Sequence, residues 1–205
     1  MKKLALLALA ATLAIAPAAR AADQMDPALK EKARRSIDAG LHYLRGQQAE
    51  NGSLSGSVGI TALALRGFLE SHRGYNEADG PFVTRPVEFL LSKVNDDGSI
   101  SESLQNRSYN TAVSLVALAA TKNPKYQAAI ANGQKFLTGH QIDEGEGYSQ
   151  DHRYFGGIGC GGDERPDLSN LYLAIEGLKA SATDPKDPVW QKALTFVNRS
   201  QNRSE

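Results

Sequence analysis

The chain has 205 residues, with 23 basic and 23 acidic side chains and 41% hydrophobic residues. This balance is typical of a globular protein with one sizeable core. A net charge of zero implies no general attraction to nucleic acid or to anionic lipid.

The N-terminus is typical of an export signal. A pair of lysines precedes an apolar run over residues 4–15, and an Ala-Arg-Ala triplet ends at Ala21. These features predict a secretory signal peptide over residues 1–21, cleaved after Ala21. The apolar run is too short for a permanent membrane span. We therefore expect a periplasmic or secreted protein, with a mature domain over residues 22–205 and no integral membrane segment.

Four segments of ten residues align without gaps along the rest of the chain. Each has an aromatic residue followed by an aliphatic one at its fifth and sixth positions. The segments are AGLHYLRGQQ (39–48), RPVEFLLSKV (85–94), NGQKFLTGHQ (132–141) and KALTFVNRSQ (192–201). They start 46, 47 and 60 residues apart, which indicates a repeat protein.

A glycine turn and a second apolar stretch follow each of the first three segments. The turn glycines, which tolerate the left-handed backbone of a helix end, are Gly52, Gly98 and Gly145. The second stretches have apolar and small residues at helical spacing and begin at Gly59, Asn110 and Asn170. Each unit is therefore predicted to be a helical hairpin, with an amphipathic outer helix and a more apolar inner helix stacked against its neighbours.

The third unit is longer than the others between its turn and its inner helix. The matched small residue of the inner helix lies 15 residues after Gly52 and 19 after Gly98, but 32 after Gly145. The glycine-rich stretch from Tyr154 to Asn170 therefore predicts an insertion at this turn. Insertions in stacked repeats collect on one face, which is often the binding face.

These units resemble the prenyltransferase and squalene-cyclase repeats of the α/α-toroid proteins, in a form found in exported bacterial proteins. The family's motif contains a small residue, an aromatic, an aliphatic, a glutamine, a glycine and a closing tryptophan. The matching residues are Gly40, Tyr43, Leu44, Gln48 and Gly52 in the first unit and Gly133, Phe136, Leu137, Gln141 and Gly145 in the third. Leu54 and Ile100 stand at the tryptophan position, and Tyr148 lies near it.

The resemblance implies an all-α fold, an α/α toroid built of repeated helical hairpins. This chain would supply an incomplete arc of between three and four hairpins. The fourth segment is followed by Glu205, where the alignment expects another turn glycine. We therefore expect the chain to be a fragment, the N-terminal part of a longer domain.

The family's two reactions have recognisable motifs. Terpene cyclases protonate an alkene with Asp-x-Asp-Asp, since neighbouring carboxyls tune the acid, and this chain lacks that motif. Prenyltransferases of this fold bind zinc through an aspartate and a cysteine two residues later. Here Asp167-Leu168-Ser169 stands at that place, and serine is a poor zinc ligand. No cofactor or metal is therefore expected in this chain.

Cys160 is the chain's single cysteine, so it cannot form an intramolecular disulfide in an oxidising compartment. We expect it to be a small, partly buried residue in a glycine turn. Two chemical alternatives were weighed and are not favoured. A metal cluster would combine Asp151, His152, Cys160 and Asp163, and a thioester would need a glutamine where Glu164 stands.

The remaining polar and aromatic residues of this region form a predicted ligand-contacting rim. The candidate ligand-binding residues are Tyr148, Asp151, His152, Tyr154, Cys160, Asp163 and Arg165. A structural interpretation instead pairs Arg165 with a carboxylate, starts a helix at Pro166 and caps it with Asp167 or Ser169. The structural interpretation is favoured for Pro166 and the cap. For His152 and Tyr154 both interpretations stay open.

The predicted function is that of an exported toroid repeat protein that binds a ligand or partner through its cavity and loop face. Its partner would be an apolar or isoprenoid-like ligand, a protein or a glycan. The alternative is a terpene cyclase or prenyltransferase that acts on an isoprenoid, with catalytic residues beyond Glu205. A polysaccharide lyase has only His152 and Arg153 as its basis. Whether the chain is an enzyme stays open at this point.

Overall fold

The computed structural model describes residues 26–161 and 165–201. Within these ranges the chain is all-α, as predicted, and the only strand-like pairings are isolated bridges. The helices are α1 (Pro27–Gly46), α2 (Val58–Glu70), α3 (Pro81–Leu91), α4 (Arg107–Ala120), α5 (Gln127–Thr138), α6 (Leu168–Ala180) and α7 (Pro188–Ser200). None of them, among the described residues, has the length and apolar character needed to cross a bilayer.

Polar residues fix where several helices begin. The side chains of four N-cap residues accept hydrogen bonds from first-turn backbone N–H groups, and these residues are Asp26, Ser57, Asp167 and Asp187. The predicted cap of α6 is therefore Asp167, whose Oδ1 accepts from the Asn170 N–H at 2.9 Å. Pro166 does not start this helix. It precedes the cap and pairs with Gly159 in an isolated bridge.

Helix α4 lies at the centre of the core. It packs against α2 on one side and against α6 on the other, and an unbroken run of its residues from Asn110 to Leu118 is buried. Small residues permit the close approach, because a Cβ on Gly177 of α6 would overlap the backbone of Ala112. The prediction of an inner helix packed on both sides is thus confirmed for α4.

The outer helices pack against the inner helix that precedes them. Helix α3 lies against α2, and α5 lies against α4. The sequence unit, in contrast, grouped each outer helix with the inner helix that follows it. A glycine turn separates those two helices. The close packing is instead between an outer helix and the inner helix before it, as in α2–α3 and α4–α5. Helix α1, at the start of the series, buries only Leu41 fully.

The glycine turns of the first two units have the same geometry. The Gly52 N–H donates to the Ala49 carbonyl at 2.8 Å, and the Gly98 N–H donates to the Asn95 carbonyl at 2.9 Å. Both glycines have φ near +85°, at +83° and +87°. Each turn also lies against the next outer helix, so that a Cβ on Gly52 would overlap the backbone of Arg85 in α3. Side chains are therefore excluded at both positions.

Gly156, and not Gly145, occupies the corresponding position in the third unit. Its N–H donates to the Ile142 carbonyl at 2.7 Å, its φ is +85°, and a Cβ there would overlap the backbone of Lys192 in α7. The assignment of Gly145 as the turn glycine was wrong, because the extra residues precede the turn. We call residues 143–155 the insertion loop.

The apolar residue two positions after each turn glycine confirms this register. Leu54, Ile100 and Ile158 follow their glycines at the same distance and are all buried, with at most 4% of their surface exposed. Ile158 is thus the third-unit counterpart of Leu54 and Ile100, a position that the sequence alignment had put near Tyr148. Tyr154 and Phe155 end the insertion loop, and the described residues from Gly156 to Asn170 form the ordinary turn and the approach to α6.

Candidate functional site

The insertion loop is held against α7 by two basic side chains. Lys192 Nζ lies 2.5 Å from Asp143 Oδ2 and 3.3 Å from Glu144 Oε2. Arg199 donates to the carbonyl of His152 at 2.8 Å and to that of Gln150. Burial is the largest single effect and opposes ionisation of Asp143. The hydrogen bonds from Lys192 and the Gly145 N–H and the charge of Lys192 together outweigh it, and the pKa of this carboxyl stays below its usual value.

Tyr148, His152 and Tyr154 form two ring contacts within the loop, with interplanar angles of 58° and 76°. The ring of His152 lies between those of Tyr148 and Tyr154, with centroids 4.7 and 5.3 Å away. His152 Nδ1 accepts from the backbone N–H of Tyr154 at 3.2 Å, and the Arg153 guanidinium lies 4.6 Å from the Tyr154 ring centre. His152 therefore contacts both tyrosines and helps to fix the positions of their rings.

A cavity of about 450 Å³ lies between the insertion loop, the end of α5 and the start of α4. We call it the third-unit cavity. Its lining residues are Ser108, Gly139, His140, Ile142, Glu146, Tyr148, Gly159 and Gly161. Among the residues predicted to contact a ligand, Tyr148 lines this cavity. Its wall thus combines an aromatic ring, an imidazole and a carboxylate.

Two further depressions continue from this cavity along the same end of the helices. The first, of about 440 Å³, shares Gly139 and His140 with the cavity and reaches Asp96 and Asp97. The second, of about 430 Å³, shares those two aspartates and ends at Leu104. The three spaces together form what we call the long groove.

Arg107 lies in the wall of the long groove. Its Nη1 is 2.6 Å from Asp97 Oδ2, and its guanidinium carbon is 5.7 Å from the ring centre of Phe136. The Arg107 Nε is buried and has no hydrogen-bond partner among the described residues. Burial opposes ionisation of Asp97, but hydrogen bonds from Ser99 and the charge of Arg107 outweigh it and keep the pKa of Asp97 below its usual value.

His140 stands where the third-unit cavity meets the rest of the groove. Its ring packs on Phe136 with centroids 4.0 Å apart, and Nδ1 lies 3.1 Å from the Phe136 carbonyl oxygen. Burial lowers the pKa of His140, and the nearby charge of Arg107 lowers it further, while Asp97 and other groups act in the opposite direction. Burial therefore favours the neutral imidazole, which can both donate and accept a hydrogen bond.

The other predicted site residues have different positions. Asp151 and Arg165 are exposed, and Asp163 lies outside the described residues together with Glu164, the carboxylate next to Arg165. Cys160 is half-buried; its Sγ donates to Asn106 Oδ1 at 3.3 Å and its carbonyl accepts from the Ser108 N–H at 3.0 Å. Cys160 thus contacts the start of α4.

The unfavoured metal cluster of Asp151, His152, Cys160 and Asp163 includes one residue, Asp163, that lies outside the described residues. Among the described residues, no group of three or more His, Cys, Asp and Glu side chains is arranged to hold a metal ion. Asp167, which the resemblance had aligned with a zinc-binding aspartate, accepts hydrogen bonds from Asn170 as the α6 cap. Its role in this structure is therefore to stabilise a helix end.

Sequence reasoning missed Arg107, His140 and Glu146. Asp97, in the turn of the second unit, pairs with Arg107. A signal for this arrangement exists in the repeat itself. Each turn glycine lies against the first residue of the next outer segment, as Gly98 does against Asn132. Phe136 and His140 follow Asn132 at intervals of four residues, so the same side of this segment faces the turn.

No protein-family model matches the chain, and no solved structure matches it either.

Proposed function

We propose that this chain is an exported repeat protein of the α/α-toroid type, related to the prenyltransferase and squalene-cyclase repeats, that binds a ligand in the third-unit cavity. The described helices would form an open arc of between three and four hairpins. Repeated contacts support this arrangement. Gln48 donates to the carbonyl of Phe82, the second residue of α3, and Gln141 donates to that of Val189, the second residue of α7.

The observation that carries the binding function is the position of the insertion loop. The loop is added to a turn whose hydrogen bonds are otherwise those of the first two units. Its residues Glu146 and Tyr148 form one wall of the cavity, and α4 and α5 form the other. A cavity of about 450 Å³ has the size of small-molecule and side-chain binding sites.

The lining favours a ligand with both a flat or apolar part and polar groups. Tyr148 offers a ring face whose orientation is set by its contact with His152. His140 and Glu146 offer hydrogen-bonding groups on the same cavity wall. A ring already held in place loses little conformational entropy on binding, which favours affinity.

A ligand screen on the mature protein tests this function. The probes are a fragment library and sets of short peptides and neutral oligosaccharides, with binding followed by saturation-transfer NMR and by the ring resonances of Tyr148. Ligands of this cavity should lose affinity about tenfold or more in Tyr148→Ala, since aromatic contacts of this kind contribute about 1–3 kcal/mol.

Tyr43→Ala is the matched control. Tyr43 is an exposed tyrosine on α1 outside the cavity lining, so its removal should leave affinity unchanged. Ligands that bind wild type and Tyr148→Ala equally would place binding elsewhere and contradict the proposal. The predicted export is tested separately. Mass spectrometry of the exported protein should give a mature N-terminus at Ala22.

A further inference from the structure

We propose that the long groove binds an extended peptide segment with spaced basic side chains. This inference rests on the proposed function and names the ligand class for the same site. The groove continues beyond the third-unit cavity, past His140 and along the turn of the second unit to Leu104. A compact ligand would fill only the first of its three spaces, whereas an extended chain can occupy all three.

The charges along the groove select for cations. Asp96, Glu102 and Glu146 line it, and none of them has a basic partner among the described residues. Glu102 accepts hydrogen bonds from the Val58 N–H and from Asn110, and Glu146 accepts from the Asp143 N–H. These contacts come from neutral donors and leave the negative charges uncompensated.

The positive groups of the groove are mostly neutralised. Arg107 forms an ion pair with Asp97 at 2.6 Å. His140 is half-buried and packs on Phe136 with an angle of 34° between the ring planes, and burial favours its neutral form. Lys135 is the remaining basic residue among the groove's described lining residues. Three carboxylates without basic partners therefore oppose one lysine, and the electrostatic potential favours a positively charged ligand.

The dimensions fit an extended peptide. The groove passes the ends of α3 and α5 and then reaches the insertion loop, and its three spaces measure about 430, 440 and 450 Å³. A hexapeptide spans about 20 Å when extended at roughly 3.3 Å per residue, so it can contact more than one of these spaces. Leu104, which is 63% exposed, and Tyr148 supply apolar contacts at the two ends. Alternate side chains of the peptide would face the carboxylates.

Fluorescence anisotropy with three labelled hexapeptides tests the inference on the mature protein. The probe is acetyl-Lys-Ala-Lys-Ala-Lys-Leu-amide, and its counterparts carry glutamine or glutamate in place of every lysine. At low salt the lysine peptide should bind about tenfold or more tightly than the glutamine peptide, and the glutamate peptide should bind weakest. Raising the salt to about 0.15 M should reduce this preference, because the Debye length falls to about 8 Å.

A double variant and a control variant test whether the peptide binds in the long groove. Combining Asp96→Asn with Glu146→Gln should weaken the lysine peptide about tenfold and leave the glutamine peptide unchanged. Glu50→Gln is the matched control, since Glu50 occupies the position of Asp96 in the exposed turn of the first unit. It should bind all three peptides as wild type does.

The outcomes separate this inference from the proposed function. If the glutamine peptide binds as tightly as the lysine peptide and Tyr148→Ala weakens both, the groove binds peptides without charge selection and the inference is wrong. If neutral oligosaccharides bind in a Tyr148-dependent way and no peptide does, the proposed function holds and the inference fails. If no probe depends on Tyr148, both fail.

Discussion

Gln141 Nε2 donates a hydrogen bond to the carbonyl oxygen of Val189 at 3.0 Å, although 48 residues separate them in the chain. The same nitrogen also donates to the Gly156 carbonyl at 3.0 Å, and the side chain is only 2% exposed. One amide group therefore connects the end of α5, the turn after the insertion loop and the first turn of α7. His140 and Ile142, which flank Gln141 in the chain, both line the third-unit cavity.

Replacing Gln141 by leucine should lower the free energy of unfolding by about 2–3 kcal/mol, because two buried carbonyls lose their donor. Urea denaturation followed by circular dichroism measures the effect. Gln48→Leu is the matched control, since Gln48 is half-buried and makes one such bond, to the Phe82 carbonyl. It should cost about 1 kcal/mol. Equal losses in both variants would contradict the role assigned to Gln141.

Gly156→Ala and Gly147→Ala should differ strongly in stability. Both glycines have positive φ, at +85° and +83°, so alanine is strained at either position by about 1–2 kcal/mol. Only Gly156 also faces a backbone, that of Lys192, and Gly147 faces open space. We expect Gly156→Ala to cost about 3 kcal/mol or more. If the two variants were equally stable, Gly156 would not be the turn glycine of the third unit.

Lys192→Met should loosen the insertion loop with little effect on global stability. The lysine pairs with Asp143 and Glu144, and both ion pairs are partly accessible to solvent. Such pairs contribute about 1 kcal/mol or less to the free energy of unfolding. Hydrogen exchange of residues 143–155 should accelerate, while exchange in α4 stays unchanged. Arg35→Met removes an exposed pair with Glu31 and should leave exchange in the loop as it is. Unchanged loop exchange in Lys192→Met would show that other contacts hold the loop.

Stability should fall as the pH is lowered from about 7 to 5. Burial lowers the pKa of His140 in the folded state from the ordinary value of 6.5, so the unfolded chain binds this proton at a higher pH than the folded chain does. The contribution of His140 is therefore present above pH 6.5 and is lost as the pH falls through the folded pKa. The carboxylates with lowered pKa values titrate below this range.

Urea denaturation at several pH values should therefore show a shallower slope between about pH 5 and 6.5 in His140→Gln than in wild type. NMR titration of the His140 ring gives the folded pKa directly. A midpoint at or above 6.5 would contradict the effect of burial.

The helices could be predicted from the sequence because their signals are local. Apolar spacing, capping aspartates and turn glycines lie within a few residues of the helix ends that they determine. Gly145 was misassigned because it has the same spacing from its segment as Gly52 and Gly98, and spacing alone does not show an insertion. What identifies Gly156 is its contact with the backbone of Lys192, which exists only after α7 has packed.

The candidate site was predicted only in part, for a related reason. Tyr148 was included for its residue type, and it lines the cavity. His152 and Tyr154 were chosen in the same way, but His152 packs against both tyrosines at steep ring angles and neither residue lines the cavity. His140 and Arg107 come from different units and meet because the turn of one unit lies against the next. That proximity follows from the packing of repeats and has no signature in either segment alone.

The insertion loop is closed at its base by two backbone hydrogen bonds, from the Ile142 N–H to the Gly157 carbonyl at 2.9 Å and from the Gly156 N–H to the Ile142 carbonyl at 2.7 Å. In the first two units the equivalent bonds join Ala49 to Gly52 and Asn95 to Gly98, with only two residues between the partners. Changing the length of a loop with fixed ends costs only about 0.6 kcal/mol per doubling. The insertion loop can thus be replaced at this turn by a segment of different length and chemistry. Such a replacement should change binding specificity while α5, α6 and α7 keep their packing.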